Sequence, residues 1–267
     1  MKAKDYRAKA RRALRGKWAR TAALVLLAQV VLGAVLFIVG FVAMGPLMVS
    51  VFRGLDRAVY GAEVTTSELV QIPASFFIIV TVGALIAGVI QSLLAVGLSN
   101  VGRAVLDGRQ PGPKMLFPVK LLGKAVAMNA VRAVLVAAQL MLLIAPGFIA
   151  MYRYFMADYL LAAHPDLGPI EALRRSARRM KGRKTKLFTL HLGFFGWAAL
   201  CVLPSFLVNL WAGARFGAAF VLSLIVMLLS GAAMLFVAAY LLVAVTAFYR
   251  GADKTGRKKR KTRPEPQ

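Results

Sequence analysis

The chain has 267 residues, 60% of them hydrophobic, with 35 basic residues against 10 acidic ones and a formal charge of +25. A mean hydropathy of +0.70 excludes an ordinary soluble domain. Charge of this size would point to nucleic acid in a soluble protein, but here it falls in blocks between and beyond apolar runs, as membrane topology requires.

Residues 1–19 read as a basic amphipathic helix. Lys2 to Arg20 holds nine basic residues and one acid, with Tyr6, Ala10, Ala13, Leu14 and Trp18 along one stripe. The run "TAALVLLAQVVLGAVLFIVGFVAM" that follows is too long for a signal-peptide core and is not closed by a small-residue cleavage site. It therefore reads as a retained first span, about 20–44. Gly45-Pro46 opens a mixed connector to residue 73, and a second span is expected over 74–98. Residues 99–124 form a basic connector centred on "DGRQPGP".

Residues 125–163 are the ambiguous region. As one straight helix they would be about 58 Å long, roughly twice a hydrocarbon core. Broken at Pro146 and Gly147, they give two arms, 125–146 and 147–163, each able to cross. Arg132 lies 14 residues before Pro146 and Asp158 lies 12 after it, so the hairpin would set them level. Pairing would offset the roughly 2.5–3.5 kcal/mol cost of an arginine within a span. The alternative is a single span continued by an interfacial helix, with Tyr152, Tyr154 and Tyr159 at headgroup depth.

Residues 169–182 form a second basic amphipathic helix. Pro169 suits its first turn, Glu171 complements its dipole, and Gly182 is placed to end it. Ile170, Leu173, Ala177 and Met180 make the apolar stripe. Arg174, Arg175, Arg178 and Arg179 lie on the polar side as candidate contacts for anionic lipid. Spans over 187–211 and 216–249 follow, the latter as one long tilted helix, and 250–267 is expected to be a disordered basic tail.

Lys and Arg number nine, two, five, nine, one and eight along the successive soluble segments, with Arg153 counted in the second nine. Basic segments stay in the cytoplasm. Six crossings satisfy this and place both termini inside; five would put the basic 164–186 loop and the tail outside. The expected fold is therefore all-α: a polytopic transmembrane helical bundle of about six crossings, five as the alternative, with basic amphipathic interfacial helices and a single membrane domain over 20–249.

Chemistry-bearing motifs are missing. Cys201 is alone, and His164 and His191 have no partners at metal-ligand spacing. "KGRKTK" lacks the opening glycine and preceding strand of a phosphate loop, and no serine sits in a nucleophile elbow. A non-enzymatic protein without cofactor or metal is expected. Gln91, Asn129, Arg132, Gln139, Arg153, Asp158 and Asn209 lie within apolar runs, where such groups form interhelical hydrogen bonds; a permeation path through Arg132, Gln139, Arg153 and Asp158 is the second reading. Gly83, Gly88, Gly193 and Gly196 suit close helix packing. The tail has no aromatic stacking residues, which argues against nucleic acid.

Two segments carry a resemblance. "YRAKARRALRGKW" and "APGFIAMYRYFMADYLLAAHPDLGPIEALRRSARRMKGRKTKLFTLHLGFFGW" resemble the bacterial integral membrane family called domain of unknown function 975. Matching features are Ala13 to Trp18, Pro146-Gly147, Met156, Leu161, Ala172-Leu173, Ser176, Met180-Lys181-Gly182, Phe188 and Gly196-Trp197, with "GPL" at 45–47 and "AFYR" at 247–250. The Pro-Gly then "ALRRS…KG" order is more distantly similar to membrane domains attached to glycerophosphodiesterases, but no hydrolase domain is present. The family resemblance implies a multi-pass protein of a bacterial inner (cytoplasmic) membrane and no particular activity. The expectation is a scaffold, assembly factor or lipid-responsive envelope component. Its partners would be anionic lipids at the cytoplasmic face and protein partners or a second copy of itself.

Overall fold

The computed structural model describes residues 3–60, 72–212 and 218–261. Among them every regular element is helical: α1 (Ala3–Leu14), α2 (Trp18–Val59), α3 (Ala74–Leu106), α4 (Leu122–Leu142), α5 (Ile144–Tyr154), α6 (Ala157–Ala163), α7 (Pro169–Met180), α8 (Lys184–Ala212) and α9 (Ala218–Lys261), with short 3-10 turns at Pro113–Met115 and Val119–Leu121. Five segments are long and apolar enough to cross a membrane: Trp18–Arg57, Ala74–Leu106, Pro113–Leu142, Lys184–Val208 and Val221–Asp253. The protein is an all-α, multi-pass membrane protein. Hydrocarbon offers a backbone no hydrogen-bond partners, so apolar runs of this length must satisfy themselves as helices.

The chain divides into two compact units, residues 27–92 and residues 1–26 with 93–267. In the smaller, Val39 of α2 packs on Gly83 of α3, where an added Cβ would strike the valine methyls. The connector expected from Gly45 is instead helix as far as Val59; residues 61–71 lie outside the described residues. Pro46 removes one intrahelical N–H, and Ser50 Oγ donates to the Leu47 carbonyl at 2.8 Å one turn on. Losing one bond costs less than ending a helix in apolar surroundings, which would strand four carbonyls.

The larger unit has its basic segments tied to one another. Lys17 Nζ, just before α2, donates to the Gly108 carbonyl, just after α3. Lys124 Nζ, at the start of α4, donates to the Pro165 carbonyl beyond α6 at 2.7 Å. Arg179, shortly before α8, pairs with Asp253 near the end of α9. Three helical excursions thus each leave from and return to the same end.

The second excursion turns back, but not at Pro146-Gly147. Leu143 is the break, in extended conformation (φ −163°, ψ 145°) between α4 and α5. Pro146 falls in the first turn of α5, where its missing N–H would have no intrahelical partner anyway. Gly147 lies against Leu140, too close for a side chain. The expected arms 125–146 and 147–163 become Leu122–Leu142 and 144–163, and the returning arm breaks again after Tyr154. At 11 residues α5 is about 16 Å long, short of a hydrocarbon core.

Three buried clusters lie in this unit, the smallest joining Ala22 and Val25 of α2 to Ala239 of α9. Of the larger two, one joins Ala10 and Leu14 of α1 to Leu160, Met180, Leu187, Leu190 and Phe248. The other joins Val96, Ala125, Met128, Ala157, Leu161, Ala172 and Leu173. The apolar stripes of α1 and α7 are therefore spent on protein. Both helices were expected to lie in the headgroup plane; instead Ala10, Leu14, Leu173 and Met180 are core residues, and of the α7 stripe only Ile170 is exposed.

At the C-terminus, α9 runs on to Lys261 through a segment expected to be disordered. Extension of a helix already nucleated and packed costs little per residue, and the first proline beyond it is Pro264. Packing between α8 and α9 is sealed by Phe194 edge-on to Tyr240 (4.9 Å) and by Ser205 Oγ donating to Ser230 Oγ (2.7 Å). Residues 213–217, which include most of the stretch between the expected spans 187–211 and 216–249, and the last tail residues, 262–267, lie outside the described residues.

Candidate functional site

The basic end of the larger unit is where charge, loops and helix ends converge. α7 organises it. Gly168 is extended (φ −72°, ψ 156°), Pro169 opens the helix, and Gly182 at φ +73° turns the chain into α8, a conformation glycine adopts without strain. Ala172, Leu173, Ser176 and Met180 are buried. Ser176 Oγ donates to the Arg153 carbonyl at 3.0 Å and so fixes the end of α5 to α7.

The four arginines of α7 divide into two pairs. Arg175 Nε donates to Glu171 at 2.9 Å within the helix, and Arg179 pairs with Asp253 of α9, beside which His164 Nε2 lies at 3.8 Å. Arg179 thus clips α7 to α9 and Arg175 is paired within its own helix, a correction to the reading that grouped all four as alike. Arg174 and Arg178 are exposed and, among the described residues, form no ion pair. With so few acids in the chain, Asp107, Asp158, Glu171 and Asp253 are each committed to one arginine.

α1 lies across the same end. Tyr6 stacks edge-on against Phe248 at 5.4 Å, and Tyr240 OH donates to the Arg7 carbonyl at 3.1 Å. Burial pushes the Tyr6 phenol above its ordinary value, while Arg183 pulls it down and Asp5 adds to the rise. Gly193 approaches the Arg7 guanidinium, as its expected packing role requires, whereas Gly88 and Gly196 face open space.

Arg132 Nη1 donates to Asp158 Oδ2 at 2.6 Å, with side chains 27% and 15% exposed. The structure thus joins two of the four residues of the permeation reading. It does not join the others: Gln139 Nε2 bonds its own helix at the Leu135 carbonyl (3.1 Å) and is half-buried. Arg153 lies over the Tyr154 ring (5.6 Å) and lines a cavity with Lys181 and Lys184. Gln91 is exposed, Asn129 Oδ1 is buried without a hydrogen-bond donor among the described residues, and the Asn209 side chain lies outside them.

Several contacts at this end have no local sequence signal. Arg103 Nη1 donates to the Ala162 carbonyl and so caps α6 from α3, with its guanidinium over Tyr159. Tyr249 OH donates to the Phe155 carbonyl at 3.2 Å, satisfying backbone freed where α5 breaks from α6. Arg250 pairs with Asp107. Each joins residues at least 59 positions apart; only the short supply of acids hinted that Asp107 and Asp253 would be used.

Among the described residues no group of three or more His, Cys, Asp or Glu side chains could hold a metal ion. Neither a curated protein nor a solved structure matches the chain. A family model does: over residues 1–255 the chain matches, and it belongs to, the family described as Protein of unknown function (DUF975).

Proposed function

We propose that the protein is a non-enzymatic component of a bacterial cytoplasmic membrane, with both termini in the cytoplasm. It serves as a scaffold or assembly factor that responds to anionic lipid. The observation that supports this reading is the disposition of α1 and α7. Both spend their apolar faces on the bundle, so their basic faces are held in place at the end where Lys17, Lys124, Arg179 and Arg250 make their contacts. Rigid placement lowers the ordering cost of binding, and basic residues beside an anionic surface contribute roughly 1 kcal/mol each. Arg174 and Arg178 are the exposed members of that surface. Cross-linking in membranes followed by purification of Arg174→Gln/Arg178→Gln should recover less anionic lipid or acidic protein than wild type; unchanged recovery would remove the reading.

A second reading, ion or solute permeation, is favoured by the Arg132–Asp158 pair, because an intramembrane ion pair is where transport pathways are commonly built. Uptake into proteoliposomes that disappears in Asp158→Asn, with the protein still folded, would establish it over the first.

A further inference from the structure

We infer that the corner between α5, α7 and α8 is a binding site for the phosphate of an acidic phospholipid. This rests on the lipid-responsive reading above but places the ligand on different residues. A cavity of about 470 Å³ is lined by Arg153 at the end of α5, Ala177 of α7, and Lys181, Gly182, Lys184 and Thr185 at the α7–α8 turn. Three cations converge on it. Among the described residues none of the three forms an ion pair, although four other arginines are each given an acid. Like charges held together repel one another, so the cluster is stabilised by an anion between them.

The cluster is also built rather than incidental. Buried Ser176 holds the Arg153 backbone to α7, and the Tyr154 ring lies beneath the Arg153 guanidinium at 5.6 Å, so the charge is aimed by packing. Gly182, in its left-handed conformation, brings Lys181 and Lys184 to the two sides of one tight turn. Arginine and lysine around a phosphate is the usual chemistry of such a pocket.

What lies below the cavity selects a lipid over a free phosphate. α8 begins here and becomes a candidate membrane span. Lys184 shares a helix face with Phe188, Leu192 and Phe195, spaced at three and four residues and 50%, 56% and 71% exposed. A cationic mouth above an exposed apolar stripe has the two-part character of a phospholipid, with the headgroup in the cavity and an acyl chain along α8.

The test uses full-length protein in nanodiscs of phosphatidylcholine doped with cardiolipin or phosphatidylglycerol, with retained lipid read by native mass spectrometry. Arg153→Gln/Lys181→Gln/Lys184→Gln should weaken retention about a hundredfold, given the worth of each basic residue. Lys181→Gln/Lys184→Gln, which leaves Arg153 and its contact with Tyr154 in place, should weaken it roughly thirtyfold and covers failure of the triple variant to fold. Wild-type retention in the double variant would overturn the site. Loss only in Arg174→Gln/Arg178→Gln would overturn it and leave the surface reading standing; loss only in the lysine variant would do the reverse. A loss in the lysine variant no larger than that in Arg174→Gln/Arg178→Gln would mean diffuse charge attraction and would overturn the site. Displacement of the lipid by soluble glycerophosphate at matched concentration would overturn the choice of lipid over free phosphate.

Discussion

Arg132 and Asp158, on opposite arms of the second hairpin, meet at 2.6 Å with both side chains largely shielded. Asp158 Oδ1 accepts no hydrogen bond among the described residues, so the guanidinium is its main compensation. Removing either charge strands the other. Arg132→Ala and Asp158→Ala should each lower stability by roughly 1–3 kcal/mol. The exchange Arg132→Asp/Asp158→Arg should recover most of that loss. Thermal melting in detergent checks this, and a swap no better than either single variant would refute the pairing as a source of stability.

Asp253 and Glu171 both hold arginines of α7, yet their environments differ. Asp253 is 12% exposed and bridges two helices, whereas Glu171 is 49% exposed and pairs within one turn. Asp253→Asn should cost roughly 2–3 kcal/mol and loosen α7 from α9. Glu171→Gln should cost about 0.5 kcal/mol or less. Melting temperatures and proteolysis at the 164–183 loop would show the difference.

Gly97 and Gly88 sit on the same helix with opposite surroundings. A Cβ on Gly97 would run into the backbone carbonyl of Leu116, which cannot rotate away, while one on Gly88 meets nothing. Gly97→Ala should destabilise by roughly 1–3 kcal/mol, and Gly88→Ala should stay within about 0.5 kcal/mol of wild type. Parallel melts of the two variants are the measurement.

Sidedness is open to direct chemistry. On a Cys201→Ser background, Gly168→Cys should react with an impermeant thiol reagent only after the cells are opened. Leu143→Cys, at the exposed far turn of the second hairpin, should react in intact cells. Labelling of Gly168→Cys from outside would reverse the proposed orientation and move the basic end out of the cytoplasm.

The helical hairpin and its ion pair were legible because both follow from length and charge alone. A 39-residue apolar run is too long for one straight span, and an arginine inside it is stabilised by a nearby acid. The position of the turn was read from Pro146-Gly147, the strongest local breaker, but a proline in a first helical turn breaks nothing, and the chain bends at unremarkable Leu143. Gly45-Pro46 misled for a related reason, since apolar surroundings carry a helix through a proline that water would expose. The stripes of α1 and α7 were visible from periodicity, but periodicity records only that a face is apolar. Whether Leu14 and Met180 meet lipid or Phe248 is settled by tertiary contacts between residues far apart in the chain. The cluster of Arg153, Lys181 and Lys184 was hidden likewise, as Arg153 stands outside the basic loop in sequence.

The bond from Tyr249 to the Phe155 carbonyl spans 94 positions and sets an order of events during synthesis. The returning leg of the middle hairpin is emitted early, too short in its first helix and broken in its middle. Its open backbone finds a donor only when the final helix has left the ribosome. Until then that leg has every reason to stay loosely inserted. A chain halted before Tyr249 would leave its centre, not merely its end, unfinished.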